Sequence, residues 1–204
     1  VRADEIEHST VIDVPIYEML LEADLVTADL STYNVNAAYE LGVRYALRPR
    51  TTIVVAEEGF KNPFDFGHIV IRRYKHLGED LGAIDARRFS SELRDSIREI
   101  LAMTRGDSPV YTYIPNLIPP RLAAVYFQEP ATSSTSRLES GVTRTCFVIQ
   151  GFGKRTDYTD GRVLDLDASY AVIKEAVEAA GLKSVRADEI QHFTAIEVPT
   201  YEML

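Results

Sequence analysis

The stretch that decides the fold runs from Ala23 to Leu47 and reads ADLVTADLSTYNVNAAYELGVRYAL. Leu25 to Leu30 is apolar and partly β-branched, which predicts a buried strand with Asp29 at its carboxyl end. A polar loop follows, Ser31-Thr32-Tyr33-Asn34. Asn36 to Leu47 then predicts a helix. It is closed before Pro49, because a proline pushes the residue ahead of it out of the helical region. The first turns of this helix carry Asn36, Tyr39 and Glu40. An acidic group placed there is stabilised by the backbone dipole and stands close to the strand end. Gly42 is expected to let the helix lie close on the sheet.

Further along the chain, Thr51 to Ala56 is β-branched and reads as another strand, and Ile69 to Ile71 as a short one. Phe89, Leu93, Ile97 and Leu101 make the apolar stripe of an amphipathic helix. Pro109 to Pro120 holds four prolines and two tyrosines and reads as an extended arm. Cys146 to Phe152 reads as a buried strand running into the tight turn Gly151-Phe152-Gly153. Tyr170, Ile173, Val177 and Ala180 fall at helical spacing, with Gly181 as the stop. Ser184 to Ala187, or its twin before Ala3, reads as a strand. Pro15 or Pro199 can open a helix. Strands that are apolar throughout, alternating with helices, predict an α/β protein. The expected fold is Rossmann-like, of flavodoxin type, with a mostly parallel sheet and helices on both faces. In such sheets ligands bind beyond the carboxyl ends of the strands. The loops after Phe152, Ala187 or Ala3, Leu30 and Ala56 are therefore expected to line any site.

The chain repeats itself. Residues 1–20 read VRADEIEHSTVIDVPIYEML and residues 185–204 read VRADEIQHFTAIEVPTYEML, with 15 identities in 20. The five differences are scattered and mild, as in drifted duplicates. Residues 1–127 are expected to be the later part of one domain copy, and 145–204 the first part of a second copy. Residues 128–144, QEPATSSTSRLESGVTR, lack an apolar period and read as a linker. The order 145–204 then 21–127 would make one complete domain. The pieces can pair within the chain as a circular permutant, or between chains by swapping, and sequence leaves that choice open. In a single domain one copy of the repeat is redundant.

The formal net charge of −9 argues against a nucleic-acid backbone or an anionic membrane as the main partner. Cys146 is the sole cysteine, which excludes an internal disulfide and fits a reducing compartment. Its apolar neighbours Phe147-Val148-Ile149 make it strand filler. No apolar run reaches the roughly 18 residues of a membrane span, so a cytoplasmic location is expected. His8, His68, His76 and His192 lack metal-ligand spacing, and Asp160, Asp165 and Asp167 lack a calcium-loop pattern, so no metal site is expected. Asp167 reads as a helix start. Arg44, Arg48 and Arg50 are expected to meet the helix C-terminal dipole or solvent.

Ala28-Asp29-Leu30 together with Asn36-Ala37-Ala38-Tyr39-Glu40-Leu41-Gly42 resembles the nucleoside 2-deoxyribosyltransferase-like and Toll/interleukin-receptor-like superfamily. The likeness is closest to a bacterial branch found ahead of tetratricopeptide repeats and related to the N-terminal regulatory region of apoptosis-signal-regulating kinases. The opening of that branch resembles CFVIQGFGKRTDYTDGRVLDLDASY here, and its middle resembles VRADEI, the 23–47 segment and RPRTTIVVAEE. The resemblance implies that Glu40 attacks or supports the anomeric carbon of a ribosyl group. It implies that Asp29 helps to position the base, that Asn36 and Tyr39 contact ribose, and that Gly151, Phe152 and Gly153 approach the ligand. It implies no prosthetic group, with NAD or a nucleoside as substrate. A carboxylate suits this chemistry because N-glycosidic cleavage builds positive charge on the sugar. Because Asn34-Val35-Asn36-Ala37-Ala38 replaces the Asp-x-Gly-Thr signature of typical deoxyribosyltransferases, the deoxynucleoside itself is not implied. A signalling or defence role and self-association through the repeat copies are also expected. The alternative is a non-catalytic domain that senses a nucleotide or holds a protein partner.

Overall fold

The computed structural model describes residues 14–62, 69–76, 81–121 and 143–190. Residues 1–13 and 191–204, most of the expected linker, and His8, His68 and His192 lie outside the described residues. Among the described residues, five parallel strands make the main sheet: β1 (Leu25–Asp29), β2 (Thr52–Glu57), β3 (Ile71–Tyr74), β4 (Thr145–Ile149) and, after a small hairpin of β5 (Lys154–Thr156) and β6 (Val163–Asp165), β7 (Lys183–Arg186). Their order across the sheet is β3-β2-β1-β4-β7. Read from β4 through β7 and then from β1, this is the 2-1-3-4-5 order of flavodoxin-type sheets. The sheet is thus completed by strands from both sides of residues 128–144, with Val26 opposite Phe147 and Ala28 opposite Ile149 at its centre.

Among the described residues, five α-helices accompany the sheet: α1 (Val14–Glu22), α2 (Val35–Leu47), α3 (Ala83–Ala102), α4 (Pro109–Tyr113) and α5 (Leu166–Ala179). Side-chain alternation along each strand feeds two cores. Leu25, Ile53, Val55, Cys146 and Val148 face α3 and α5, where Leu93, Ile97, Ile173 and Val177 meet them. Val26, Ala28, Val54, Phe147 and Ile149 face α1 and α2, against Leu20, Ala37, Leu41 and Tyr45. Each fully buried Leu or Ile here is worth about 1.5–3 kcal/mol of transfer free energy. The Cys146 thiol sits 3.5 Å from Thr27 Oγ1, and burial pushes its pKa up to about 12. The filler reading of this side chain therefore matches its surroundings.

Several sequence expectations need correction. Gly42 is exposed, and a Cβ added there would meet nothing within 4 Å, so it plays no part in helix–sheet approach. Arg44 does not face solvent or the end of its own helix. It is 1% exposed and staples α1 to the sheet, with Nη1 donating to Leu20 O at 2.7 Å and Ala23 O at 3.2 Å, and Nη2 to Thr51 O at 3.3 Å. Burial pulls its pKa down to about 10, so it remains charged at neutral pH. Arg48 Nε binds Leu21 O in the same seam. Pro109 to Tyr113 is a helical turn, because Pro109 has the fixed φ of a first helical residue and Ser108 O accepts Thr112 N at 3.1 Å. Asp165 caps α5 by accepting from Asp167 N and Ala168 N, two residues before the expected start.

Candidate functional site

A cleft of about 660 Å³ opens beyond the carboxyl ends of β4, β1 and β7. It lies between β4 and β1, where the strand order reverses and ligands of such sheets collect. Ile149, Gln150, Gly151 and Phe152 leave β4 into it, Thr32 and Asn34 leave β1, and Ala187 leaves β7. The first turns of α2 add Asn36, Ala37, Tyr39 and Glu40. Ile16 and Tyr17 of α1, and Arg155, Thr156 and Tyr158 of the hairpin, close the sides. Among the described lining residues the charged side chains are Glu40 and Arg155.

Local chemistry explains how these groups are held. Asn34 caps α2 by accepting from Asn36 N at 3.0 Å and Ala37 N at 3.4 Å, which fixes the turn that carries Asn36, Tyr39 and Glu40. Thr32 and Tyr33 both have positive φ, 60° and 54°, in the left-handed region that side chains disfavour. Tyr33 is held there by its stack on Phe60, with ring centroids 4.9 Å apart, and by its hydroxyl, which accepts Lys61 N at 3.0 Å. Gly151 is crowded: a Cβ there would stand 2.8 Å from Leu166 Cδ1 and 3.3 Å from Asn34 Nδ2, so both side chains would have to give way. At the rim, the Arg186 guanidinium lies 4.2 Å from the Tyr170 ring centroid and 5.0 Å from that of Phe152. It pairs with Asp167 at 2.7 Å and Asp188 at 2.8 Å. This stack fixes Phe152 beside the cleft. Across the cleft, the Tyr17 and Tyr39 hydroxyls meet at 3.0 Å.

The structure brings Glu40, Asn36, Tyr39, Gly151 and Phe152 together in the cleft wall. Asp29 and Gly153 are not among the lining residues. Gly153, at φ 63°, accepts Leu166 N at 3.1 Å and so ties the loop to α5. Asp29 is 1% exposed and lies behind the wall. It accepts from Ser31 N at 2.9 Å, the Tyr74 hydroxyl at 2.7 Å and Gln150 Nε2 at 2.9 Å. Gln150 Nε2 also reaches Ser169 Oγ at 2.7 Å and Leu166 O at 3.1 Å. Asp29 therefore meets the cleft through Gln150. Burial lifts its pKa above the ordinary value, against the pull of the Ser31 and Tyr74 hydrogen bonds.

The loop after β2 does not reach the cleft as expected. Arg162, in the hairpin loop, closes that end by a two-pronged pair with buried Glu57, Nη1 to Oε1 at 3.0 Å and Nη2 to Oε2 at 2.9 Å. Sequence reasoning also missed Gln150, Arg155, Tyr158, Tyr17 and Ile16. Gln150 was legible as the polar end of an apolar strand. The others lie on elements whose approach to the cleft depends on the tertiary fold. Among the described residues, no group of three or more His, Cys, Asp or Glu is placed to hold a metal ion, and no helix is long and apolar enough to cross a membrane. No family model, curated protein or solved structure matches the chain.

Proposed function

We propose that the cleft cleaves an N-glycosidic bond in NAD or a nucleoside-type ligand, with Glu40 as the nucleophile or electrostatic partner of the sugar. The observation that supports this is the meeting of Glu40, Asn36 and Tyr39 with Gly151 and Phe152 in one cleft at the strand-order reversal. In the reaction the bond from C1′ to the base nitrogen breaks and its electron pair leaves with the base. The Glu40 carboxylate faces the charge left on the ring, or bonds to C1′. Water or an acceptor hydroxyl then takes the ribosyl group, and its proton balances the departing base. Tyr39 and Tyr158, 59% and 91% exposed, and Phe152 offer flat faces to a base. The chain's own residues supply this chemistry without a prosthetic group. The setting we propose is cytoplasmic signalling or defence, with self-association through the repeat copies.

The test is base release from NAD and a panel of nucleosides by the wild type and Glu40→Gln. The expected result is turnover by the wild type and a loss of about a thousandfold in the variant. A wild type that releases no base from any of them would sink the enzymatic reading. Ligand binding without turnover would then favour a nucleotide-sensing scaffold.

A further inference from the structure

The hairpin and the end of β7 carry three arginines, and two of them are neutralised. Arg162 is matched by Glu57 and Asp160, and Arg186 by Asp167 and Asp188. Arg155 is treated differently. It is exposed, lines the cleft and makes no ion pair among the described residues. Its bond there runs from Nε to Phe152 O at 3.0 Å, which leaves both Nη groups for another acceptor. The chain has a formal net charge of −9, so carboxylates are plentiful, yet no described one is set against this side chain.

Arg155 is also carried on a well-anchored element. It lies in the middle of β5, opposite Leu164 of β6, and Leu164 is fully buried. Arg162 clamps the hairpin loop to Glu57. The loop closes on itself through Asp157 N donating to Arg162 O and Gly161 N to Asp157 O, each at 2.7 Å. The Nε bond to Phe152 O then orients the guanidinium against the wall. A cation held in this way loses little freedom on meeting an anion, and its two remaining nitrogens match two oxygens of one phosphate. Thr156, next along β5, lines the cleft too, and its hydroxyl has no partner among the described residues.

Glu40 and Arg155 suit different parts of one ligand. The carboxylate suits a sugar that develops positive charge, and the guanidinium a group that is already negative. We propose that Arg155, with the Thr156 hydroxyl, binds a phosphate of the ligand, so that the cleft selects nucleotides over the corresponding nucleosides. This deepens the reading of the cleft as a site for a ribosyl compound and rests on it for the ligand class. The phosphate keeps its charge throughout glycosidic cleavage. Arg155 therefore contributes to binding and selection, equally before and during the bond-breaking step.

The test is calorimetric titration of the full chain with matched pairs: adenosine, guanosine and nicotinamide riboside, each beside its 5′-monophosphate, with inorganic pyrophosphate as a separate ligand. The wild type is expected to bind the phosphorylated member of at least one pair about tenfold to a hundredfold more tightly, the range of one charge-assisted contact. Arg155→Gln is expected to bring that ratio to within about twofold, and Arg155→Lys, which keeps the charge without the fork, to retain part of it. Arg155 is exposed, so both variants are expected to unfold at the wild-type midpoint. Equal affinities within every pair, a ratio that survives Arg155→Gln, or no binding of any monophosphate overturns the phosphate site. Pyrophosphate bound as tightly as the best nucleotide overturns it as well, because the cleft would then hold a free anion. Base release separates this outcome from the fate of the reaction. A phosphate preference without turnover keeps the site and removes the chemistry, and turnover without a preference does the reverse.

Discussion

Two carboxyl groups end neighbouring strands of the sheet, and the protein treats them oppositely. Asp29 closes β1 and Glu57 closes β2, and both are almost wholly buried, at 1% and 3% exposure. Glu57 is given a guanidinium, Arg162, and its end of the sheet is sealed by the hairpin loop. The bonds described for Asp29 come from neutral donors, Ser31, Tyr74 and Gln150, and the space in front of that end stays open. A buried carboxylate that is matched by a cation is satisfied within the fold. One held by neutral donors fixes the orientation of its neighbours, here Gln150, and leaves the cleft free. The sheet edge is therefore divided into a structural half and a binding half.

The largest test of this division is Asp29→Ala. It removes the acceptor shared by Ser31 N, the Tyr74 hydroxyl and Gln150 Nε2; Gln150 keeps Ser169 Oγ and Leu166 O and Tyr74 keeps Ser31 Oγ, and with three bonds to the carboxyl group lost, urea unfolding is expected to show a loss of about 3–4 kcal/mol. A loss below about 1 kcal/mol would mean the network does not organise the wall. Arg162→Ala comes next, at about 2–3 kcal/mol, because Glu57 is left buried and uncompensated. Glu57→Gln in the same chain should recover part of that cost, which a loss due only to hairpin packing would not permit.

The pH dependence sharpens the contrast. Burial pushes the Glu57 pKa up, but the Arg162 and Gly59 hydrogen bonds outweigh it and hold the net value below 4.5. The stability from Glu57 is thus present above pH 4.5 and is lost as pH falls through its folded pKa. Asp29 has the opposite sign. Its folded pKa is raised above 3.8 by burial, so its contribution falls as pH rises from 3.8 through the folded value. His76 acts on both groups and is present in every variant. Unfolding midpoints across the acid range are expected to drop with falling pH less steeply in Arg162→Ala than in the wild type. Identical slopes would contradict the assignment. The smallest effect is expected from Tyr158→Ala. This side chain lines the cleft and is otherwise in solvent, so stability should stay within about 0.5 kcal/mol while ligand affinity falls about tenfold.

The strands and long helices were legible because their apolar periods are local: Leu25 to Leu30, Thr51 to Ala56, and the stripe from Phe89 to Leu101 each carry their own signal. The pairing of β1 with β4 within one chain was one of the two arrangements that the repeated segment left open, the other being pairing between chains. Of the cleft, sequence exposed the residues of one strand–loop–helix segment and the Gly151-Phe152 turn. It did not expose the wall that comes from α1 and the hairpin, since nothing near Tyr17 or Tyr158 marks which part of the sheet edge they face. Arg44 and Arg162 were misjudged or missed for a related reason. An arginine beside a helix end or in a polar loop looks solvated until its acceptors, here distant carbonyls and Glu57, are placed in space.

The central pairing of β1 with β4 has a consequence for how the protein is made. Gln150 and Asp29, joined across that pair, are 121 residues apart in the chain. A ribosome adding about 5–20 residues per second finishes β1 roughly 6–24 s before its partner strand exists. Throughout that interval the nascent chain carries the middle of a parallel sheet as an open edge, which is the kind of surface that chaperones cover and that neighbouring nascent chains can capture. Slow decoding or a stall between residues 122 and 142 would lengthen the exposure. Yield in the cell should therefore depend on translation speed between the two strands as well as on their own sequence.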